Sequence, residues 1–325
     1  MMSKVPLMDI LYHPIVLEHV TVSHPENKER ILSLGDLPVT ELSGDPSTLT
    51  LVHSNQYIES VKLACITSAP LDADTQTSPK SFDAALYAVA ATIRASETDG
   101  FAVVRPPGHH AHTNYARGFC LFNNIAIAVQ RLVTQGKKVL VFDFDGHLGD
   151  GTEEFFYTKN NVLYWSLHQF PAFPQAGTVD QIGEGGGVGF TINVPLPPKS
   201  GDDIYMRAVK KIVPIVKQFH PDVVAVSAGF DAHHSDPLLN LNLSTNCYFE
   251  LGKLLAENFS HIFATLEGGY NTEFLPKCFY NFLDGVNGKP QRFSEDSTES
   301  TILTMESFET DFDRLLTNLK PYWNI

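Results

Sequence analysis

Positive charge is scarce in this sequence. Of its 325 residues, 23 are Lys or Arg and 37 are Asp or Glu, which gives a net charge of -14 at pH 7. Because binding to a phosphate backbone needs clustered cations, this balance excludes nucleic acid as a general partner. A cationic substrate suits the acidic chain better.

Cysteines and long apolar runs are also few. The four cysteines are widely spaced and form no Cys-x-x-Cys pair, which excludes a disulfide scaffold and indicates a reducing compartment. No stretch approaches the roughly 18 to 20 apolar residues that a membrane helix needs. Residues 1–11 lack the apolar core of a signal peptide. We therefore expect a cytoplasmic protein with no membrane partner.

The sequence contains no internal repeat and no segment that would divide it into two domains. The most linker-like segment, residues 294–301, is acidic and rich in hydroxyl groups, and a C-terminal amphipathic helix is predicted after it, near residues 308–319. Hydrophobic residues make up 43% of the chain, so a large core is available. We predict one domain spanning residues 1–325.

Short apolar runs alternate with longer helical patterns through the middle of the chain. The candidate strands are Phe101–Val104, Lys138–Phe144, Val162–Leu167, Phe190–Val194, Val223–Ser227 and His261–Leu266. The candidate helices are Ser81–Ser96, Asn123–Thr134, Ile204–Gln218, Thr245–Asn258 and Glu273–Val286. This alternation predicts an open, mostly parallel α/β sheet with helices on both faces.

Polar side chains follow most of the candidate strands. Ligands of open α/β sheets bind beyond the carboxyl ends of the strands, so these segments are expected to converge on one site. The segments are Arg105–His110, Asp143–Asp150, Ser166–His168, Ala228–Asp231 and Glu267–Tyr270.

Three of these residues suit a catalytic metal site. Asp145 and His147 are two positions apart, so an extended backbone directs both side chains to one face. Asp231 can supply a third ligand from another strand end. Three protein ligands leave a coordination position for water and substrate, which is the catalytic arrangement.

Two adjacent histidines, His109 and His110, follow a rigid Pro-Pro-Gly turn and can act as general acid and general base. Asp143 and Asp150 are candidates for the carboxylates that would fix their tautomers. Tyr270 follows two glycines, and its hydroxyl can donate to a developing oxyanion.

Other features are set aside. The glycine-rich segment 183–189 precedes a strand, so it lacks the strand-to-helix context of a phosphate-binding loop. Cys120 lies in an apolar setting and is interpreted as a packing residue. His233 and His234 are interpreted either as residues that support the site from outside or as rim residues, and the rim is favoured.

These motifs occur together in one family. The chain resembles the zinc-dependent histone deacetylase superfamily, in the form of its class II branch and prokaryotic members, along essentially its whole length. The matching segments, in order, are Tyr12-His13, His24–Arg30, Arg105–Ala111, Gly118–Cys120, Asp143–His147, Ala228–Asp231, Leu266–Asn271 and Leu319–Trp323.

The resemblance implies an arginase-like open sheet of about eight strands and a zinc ion held by Asp145, His147 and Asp231. Iron(II) accepts the same ligand types. The resemblance also implies that His110 is the general base and that His109 is an electrostatic partner or acid. By the same resemblance, Tyr270 is the group that polarises the acyl carbonyl. Phe119 and Phe173 match the aromatic pair of an acyl-lysine tunnel. A structural potassium site would comprise Asp143, Ser166 and backbone carbonyls of Asp145, His147 and Leu167.

Three positions depart from the family pattern. Leu148 replaces a usual second histidine beside a metal ligand, so we expect tuning of the site and no loss of metal. Asp150 stands where many class II members have Asn, and its charge should favour the protonated form of His110. Gln175 lies in an altered segment after Phe173 and is expected to change the tunnel mouth.

The resemblance implies a deacylase, with the substrate left open. Leu238 follows Asp236-Pro237 where the polyamine-selective branch has an acidic gatekeeper, which favours acyl-lysine in a protein or peptide. An acetylpolyamine or other small-amide deacetylase is the alternative. A third reading is a catalytically silent module that binds acyl-lysine. Acyl length and oligomeric state do not follow from the sequence.

Overall fold

A computed structural model of the chain describes residues 7–325, so residues 1–6 of the predicted domain lie outside the described part. The described part contains one seven-stranded sheet. Its strands are β1 (Ile10–Leu11), β2 (Phe101–Ala102), β3 (Val139–Asp143), β4 (Val162–Gln169), β5 (Thr191–Leu196), β6 (Val223–Ala228) and β7 (Ile262–Leu266). All six predicted strands are present, and β1 was not predicted.

The strand order is β1-β2-β7-β6-β3-β4-β5, and every pairing between these strands is parallel. The described residues thus form seven strands, where the family resemblance implied about eight. Strands β3, β4, β5 and β7 are buried along their whole length, as their continuous apolar sequences predict for a parallel sheet. The parallel arrangement places the carboxyl ends of all the strands at one edge.

Nine α-helices in residues 7–325 surround this sheet. They are α1 (Glu29–Leu32), α2 (Asn55–Thr67), α3 (Ser81–Thr98), α4 (Asn124–Thr134), α5 (Asp150–Phe156), α6 (Asp202–Val216), α7 (Thr245–Asn258), α8 (Leu275–Val286) and α9 (Ile302–Leu319). Helices α3 and α4 pack on each other, and α6 contacts both α7 and α9. None of the helices in the described residues combines the length and apolarity needed to cross a bilayer.

Side-chain caps fix where several helices begin. Ser54, Asn123, Ser244 and Thr301 each precede a helix and accept a hydrogen bond from a backbone N–H of its first turn. Such a bond satisfies a donor that has no partner within the helix. The cap at Asn123 matters most for the site, because it ends the loop that carries His109 and His110.

A buried charged cluster joins the N-terminal segment to two strand ends. Glu26 accepts hydrogen bonds from Arg105 at 2.5 and 2.8 Å and from Arg30 at 3.1 Å, and all three side chains are fully buried. Arg30 also donates to the backbone carbonyls of Glu267 and Gly269, beyond β7. The cluster therefore links the loops after β2 and β7 to the N-terminal segment.

Candidate active site

The three predicted metal ligands lie together at the carboxyl edge of the sheet. Asp145 and His147 follow β3, and Asp231 follows the adjacent β6. One ligand atom from each lies within 4.8 Å of the other two. Nδ1 of His147 is 2.8 Å from a carboxylate oxygen of Asp231 and 3.3 Å from one of Asp145. The donor set of two carboxylates and one imidazole suits zinc or iron(II).

Backbone groups orient the two carboxylates. The Gly146 N–H donates to Asp231 at 2.7 Å, and the Gly268 N–H donates to Asp145 at 2.8 Å. A Cβ at Gly268 would lie 2.5 Å from an oxygen of Asp231, and one at Gly229 would overlap the carboxylate of Asp145. Only glycine allows the backbone to approach this closely, so both glycines after β6 and β7 are required by the carboxylate cluster.

The charges of this cluster favour a bound cation. Burial alone would lower the pKa of His147, but the carboxylates of Asp231 and Asp145 outweigh burial and raise this pKa to about 10. Burial raises the pKa of Asp231, and the charge of Asp145 adds to that increase. A divalent cation would take the place of the proton on His147, because metal ligands bind in their deprotonated forms. The residues therefore fit a metal ion.

The first tandem histidine is paired with the carboxylate predicted for it. His109 Nδ1 is 3.2 Å from Asp143, whose carboxylate also accepts a hydrogen bond from the Tyr164 hydroxyl at 3.0 Å. Burial by itself would lower the pKa of His109, but the negative charges of Asp145, Asp143 and Glu267 raise it well above 6.5. His109 is therefore cationic at neutral pH as long as Asp145 keeps its full charge.

The pKa of the second tandem histidine, His110, is shifted in the opposite direction. His110 Nδ1 lies 2.7 Å from Asp150, which also binds Arg117 at 2.7 Å and His112 at 3.2 Å. Burial and the neighbouring His109 lower the pKa of His110 to about 4, although Asp150 acts to raise it. Asp150 therefore acts in the expected direction and favours the charged form of His110, but burial and the charge of His109 outweigh it and leave His110 neutral at pH 7.

A cavity of about 220 Å³ leads from the surface to these groups. Both predicted tunnel aromatics flank it: the Phe119 ring lies 5.8 Å from the Tyr270 ring, and the Phe173 ring lies 5.0 Å from the His110 ring. Leu238 also lines the cavity, with 39% of its surface exposed. The remaining lining residues are Asp74, Gly118 and His147.

Tyr270 is fixed by its backbone and by its ring. Its N–H donates to Asp236 at 2.7 Å, and the guanidinium of Arg30 lies 4.9 Å from the centre of its ring. Burial raises the pKa of Tyr270 well above 10, so the phenol keeps its proton at neutral pH. A protonated phenol beside the cavity is able to donate a hydrogen bond to a ligand there.

The residues of the predicted potassium site lie at the ends of β3 and β4 and in the segment after β3 that also carries two metal-ligand candidates. Asp143 on β3 and Ser166 on β4 are register partners, and Leu167 is the next residue of β4. The Ser166 hydroxyl is 2.9 Å from His168 Nδ1, and Asp143 accepts a hydrogen bond from the Asp145 N–H at 3.2 Å. The potassium site stays a prediction. Leu148 is fully buried in the hydrophobic core beside these strands.

Sequence reasoning missed Arg117, and it assigned no role to Glu267 although it placed the segment that begins with Glu267 at the site. Arg117 donates to Asp150 and lies over the Phe173 ring, with its guanidinium carbon 4.7 Å from the ring centre. The buried Glu267 accepts hydrogen bonds from the N–H groups of Gly108 and His109, at 2.7 and 3.2 Å. The position of Glu267 directly after β7 predicted that it lies near the site, but no sequence pattern indicated that it binds these backbone N–H groups. No local pattern marks Arg117.

Of the two alternatives for these histidines, the favoured rim position describes His234 and does not describe His233. Its surface is only 2% exposed, and both histidines contact Glu295, a residue from the segment before α9. The exposed His234 ring, by contrast, does lie at the surface, with 36% of its side chain accessible.

Comparison with known proteins gives one consistent result. The histone deacetylase domain family matches residues 16–286. A probable deacetylase of Archaeoglobus fulgidus is 36% identical over 81% of this chain and 81% of its own length. Histone deacetylase 8 of Arabidopsis thaliana is 34% identical over 89% of this chain and 85% of its own. A histone deacetylase-like amidohydrolase of Pseudomonas aeruginosa is 32% identical over 81% of this chain and 76% of its own.

The fold agrees with these sequence matches. The crystal structure of the HDA15 HD domain superposes with a TM-score of 0.87, at 27% sequence identity. The alignment covers 97% of this chain and 98% of that domain.

Proposed function

Because the chain belongs to the histone deacetylase family, which supports a deacetylase or amidohydrolase activity in general, we propose a specific reaction for it. The protein is a zinc-dependent hydrolase that removes acetyl or other acyl groups from the ε-amine of lysine in proteins or peptides. The observation that carries this proposal is one cavity lined by His110, His147 and Tyr270. The other two metal-ligand candidates contact His147, and His109 packs against His110 with 4.0 Å between the ring centres.

Asp145, His147 and Asp231 would hold the metal ion. When bound, zinc supplies Lewis-acid polarisation of the amide oxygen and lowers the pKa of an attacking water towards about 7. Leu148, beside the ligand His147, is buried in the core and contributes no polar atom. Its presence is therefore compatible with a full set of three ligands.

The two histidines have distinct tasks in this proposal. His110 is neutral above about pH 4, so it is able to accept the proton of the attacking water. Asp150 fixes its Nδ1 tautomer and leaves Nε2 as the accepting atom. His109, paired with Asp143, is the electrostatic partner of His110 in this proposal, and the carboxylates of Asp143 and Glu267 favour its charged form when a metal ion offsets the charge of Asp145. The protonated His110 then donates to the departing amine.

The Tyr270 hydroxyl acts on the acyl carbonyl. Since its pKa is raised well above 10, it stays protonated and is able to donate to the oxyanion as that charge develops. The backbone bond to Asp236 and the packing against Phe119 and Arg30 hold the ring beside the cavity. The donor is therefore positioned before the substrate binds.

An acyl-lysine side chain suits the cavity. Two aromatic rings, Phe119 and Phe173, provide apolar walls for the methylene chain of lysine. Leu238 places an apolar side chain at a position where an acidic one would attract a polyamine cation. The negative net charge of -14 also favours lysine-rich proteins as substrates.

A substrate panel tests the proposal. Acetyl-, butyryl- and myristoyl-lysine peptides, N-acetylputrescine and acetylspermidine are offered to the zinc-loaded protein, to Tyr270→Phe and to Tyr322→Phe, whose exposed tyrosine lies outside the cavity. We expect peptide turnover that falls about 100-fold or more in Tyr270→Phe and is unchanged in Tyr322→Phe. Preference for polyamines would refute the lysine assignment. Peptide binding without any turnover would indicate a silent binding module.

A further inference from the structure

A second group of potential metal ligands lies outside the proposed active site. His233, His234 and Glu295 each direct one ligand atom into a space where the three atoms lie within 4.8 Å of one another. His233 Nε2 is 3.1 Å from one carboxylate oxygen of Glu295, and His234 Nε2 is 2.6 Å from the other. The proposed reaction uses none of these side chains.

From this geometry we infer that His233, His234 and Glu295 form a second, structural site for a divalent transition-metal ion of the zinc class. Two imidazoles and a carboxylate are ligands that zinc prefers, at about 2.0–2.2 Å from the ion. Ligand atoms at that distance around a tetrahedral ion are separated by about 3.3 Å. The two observed Nε2–oxygen distances, 3.1 and 2.6 Å, are shorter than that spacing by less than about 1 Å.

The supports around the three side chains resemble those of a built metal site. The Ser235 hydroxyl lies 2.8 Å from His233 Nδ1, the ring nitrogen that faces away from Glu295. The Phe274 ring stacks on His233 at 4.6 Å, and the Thr245 N–H donates to Glu295 at 2.8 Å. Such outer contacts orient the side chains that would bind the ion.

Access to the site is one-sided. His233 is buried, Glu295 has 22% of its side chain exposed, and His234 has 36% exposed. An ion can therefore enter past His234, while the inner wall is closed by His233 and Phe274. A fourth position on the open side would be taken by water, which completes a tetrahedral set.

A metal ion here would connect two distant parts of the chain. His233 and His234 lie on the loop after β6, which also carries Asp231 and Leu238. Glu295 belongs to the segment between α8 and α9, and 61 residues separate it from His234. The ion would therefore stabilise the loop that contributes to the active-site cavity without contacting the substrate.

Zinc stoichiometry tests this inference without relying on activity. The full-length protein and its variants are stripped with a chelator, reloaded with Zn²⁺, passed through a desalting column and analysed by mass spectrometry for zinc per chain. The variants are Glu295→Gln, His234→Asn, Asp145→Asn and the double variant of Asp145 and Glu295. The matched control is His261→Asn, because His261 pairs with Asp99 alone, at 3.2 Å, and is 60% exposed.

We expect two zinc ions in the wild type and in the control, one in each single variant, and none in the double variant. One ion in the wild type that persists in Glu295→Gln and disappears in Asp145→Asn would overturn the second site and leave the active-site metal intact. One ion that disappears in Glu295→Gln and persists in Asp145→Asn would instead refute the active-site metal and support the second site.

A second measurement guards against misfolded variants. Zinc is added to stripped Asp145→Asn protein, whose midpoint of thermal unfolding should rise because the ion binds only the folded state. The same addition should leave the midpoint of the double variant unchanged. Equal shifts in both proteins would mean that His233, His234 and Glu295 form only a hydrogen-bonded cluster, and the inference would fail.

Discussion

At the scale of single residues, Arg117 connects two parts of the site that have different tasks. Its guanidinium donates to Asp150, the partner of His110, and lies over the ring of Phe173 at the cavity wall. A change in how Phe173 packs would therefore move the Arg117 charge and alter the electrostatic potential at Asp150. Arg117 is 34% exposed, so solvent weakens this coupling but does not abolish it.

We predict that Arg117→Ala lowers kcat/KM by about fivefold, since a partly exposed ion pair contributes roughly 1 kcal/mol at most. Removing the cation leaves the Asp150 charge less balanced, which raises the pKa of His110 from about 4. His110 must be neutral to accept a proton, so the acid limb of the pH–rate profile should move to higher pH. Profiles of the wild type and variant measure this shift.

Arg94→Ala is the control for that experiment, because Arg94 pairs only with Glu97 on the surface of α3. Its profile should overlay that of the wild type. An acid limb that stays in place in Arg117→Ala, or moves to lower pH, would contradict the assigned effect of Arg117 on Asp150 and His110.

At the scale of elements, Glu26 couples segments that are far apart in sequence. It joins Arg105, 79 residues later, and Arg30 on α1, and these arginines in turn hold the backbone beyond β2 and β7. Burial alone would raise the pKa of Glu26, but Arg105 and the other nearby cations outweigh burial and lower it to about 2. The carboxylate is therefore charged throughout the neutral range.

We predict that Glu26→Gln lowers the free energy of unfolding by about 3–5 kcal/mol, because it leaves two buried guanidinium groups without a counter-charge. Glu59→Gln, which removes an exposed partner of Lys62, should change it by less than about 1 kcal/mol. Urea unfolding followed by circular dichroism measures both values. Equal stability of the two variants would show that the buried cluster contributes nothing.

The Glu26 carboxylate also predicts how the stability of the protein depends on pH in acid. A group whose pKa is lower in the folded protein stabilises it above the unfolded pKa, here 4.5, and that stability is lost as pH falls towards 2. The wild type should therefore lose stability between about pH 4.5 and 2 more steeply than Glu26→Gln.

Elements with strong patterns could be predicted from the sequence, and short or irregular ones could not. The run around Val139–Asp143 is continuous and apolar, and the structure differs from the prediction only at its ends. Strand β1 has two residues, which are too few to show a period. Helix α2 escaped prediction because Leu63 and Ile66 are exposed and blur its apolar face.

The residues of the site also fall into two groups, those that the sequence predicts and those that it does not. The strand-end rule together with the family motifs led to Asp145, His147, Asp231 and the two histidines, because those residues lie beside recognisable strands and glycines. Arg117 and Asp150 are 33 residues apart, and their contact exists only once the loop after β2 folds against α5. The approach of Glu295 to His233, over 62 residues, is equally invisible in a local pattern.

At the scale of the whole molecule, all four cysteines are free and buried. Burial raises the pKa of each thiol, so the reactive thiolate form is scarce in the folded protein. We predict that a thiol reagent such as DTNB labels the native protein slowly and labels four thiols once the protein is unfolded in guanidinium chloride. Rapid labelling of the native protein at neutral pH would contradict this burial.

The order of the chain sets when the active site forms during synthesis. His147 and Asp231 are 84 residues apart, and the glycine that orients Asp145 comes later still, at position 268. A ribosome therefore exposes Asp145 and His147 well before their partner exists, and β6 must insert beside β3 before the ligands can meet. All three ligands can therefore bind a cation together only late in synthesis, after β3 and β6 have paired.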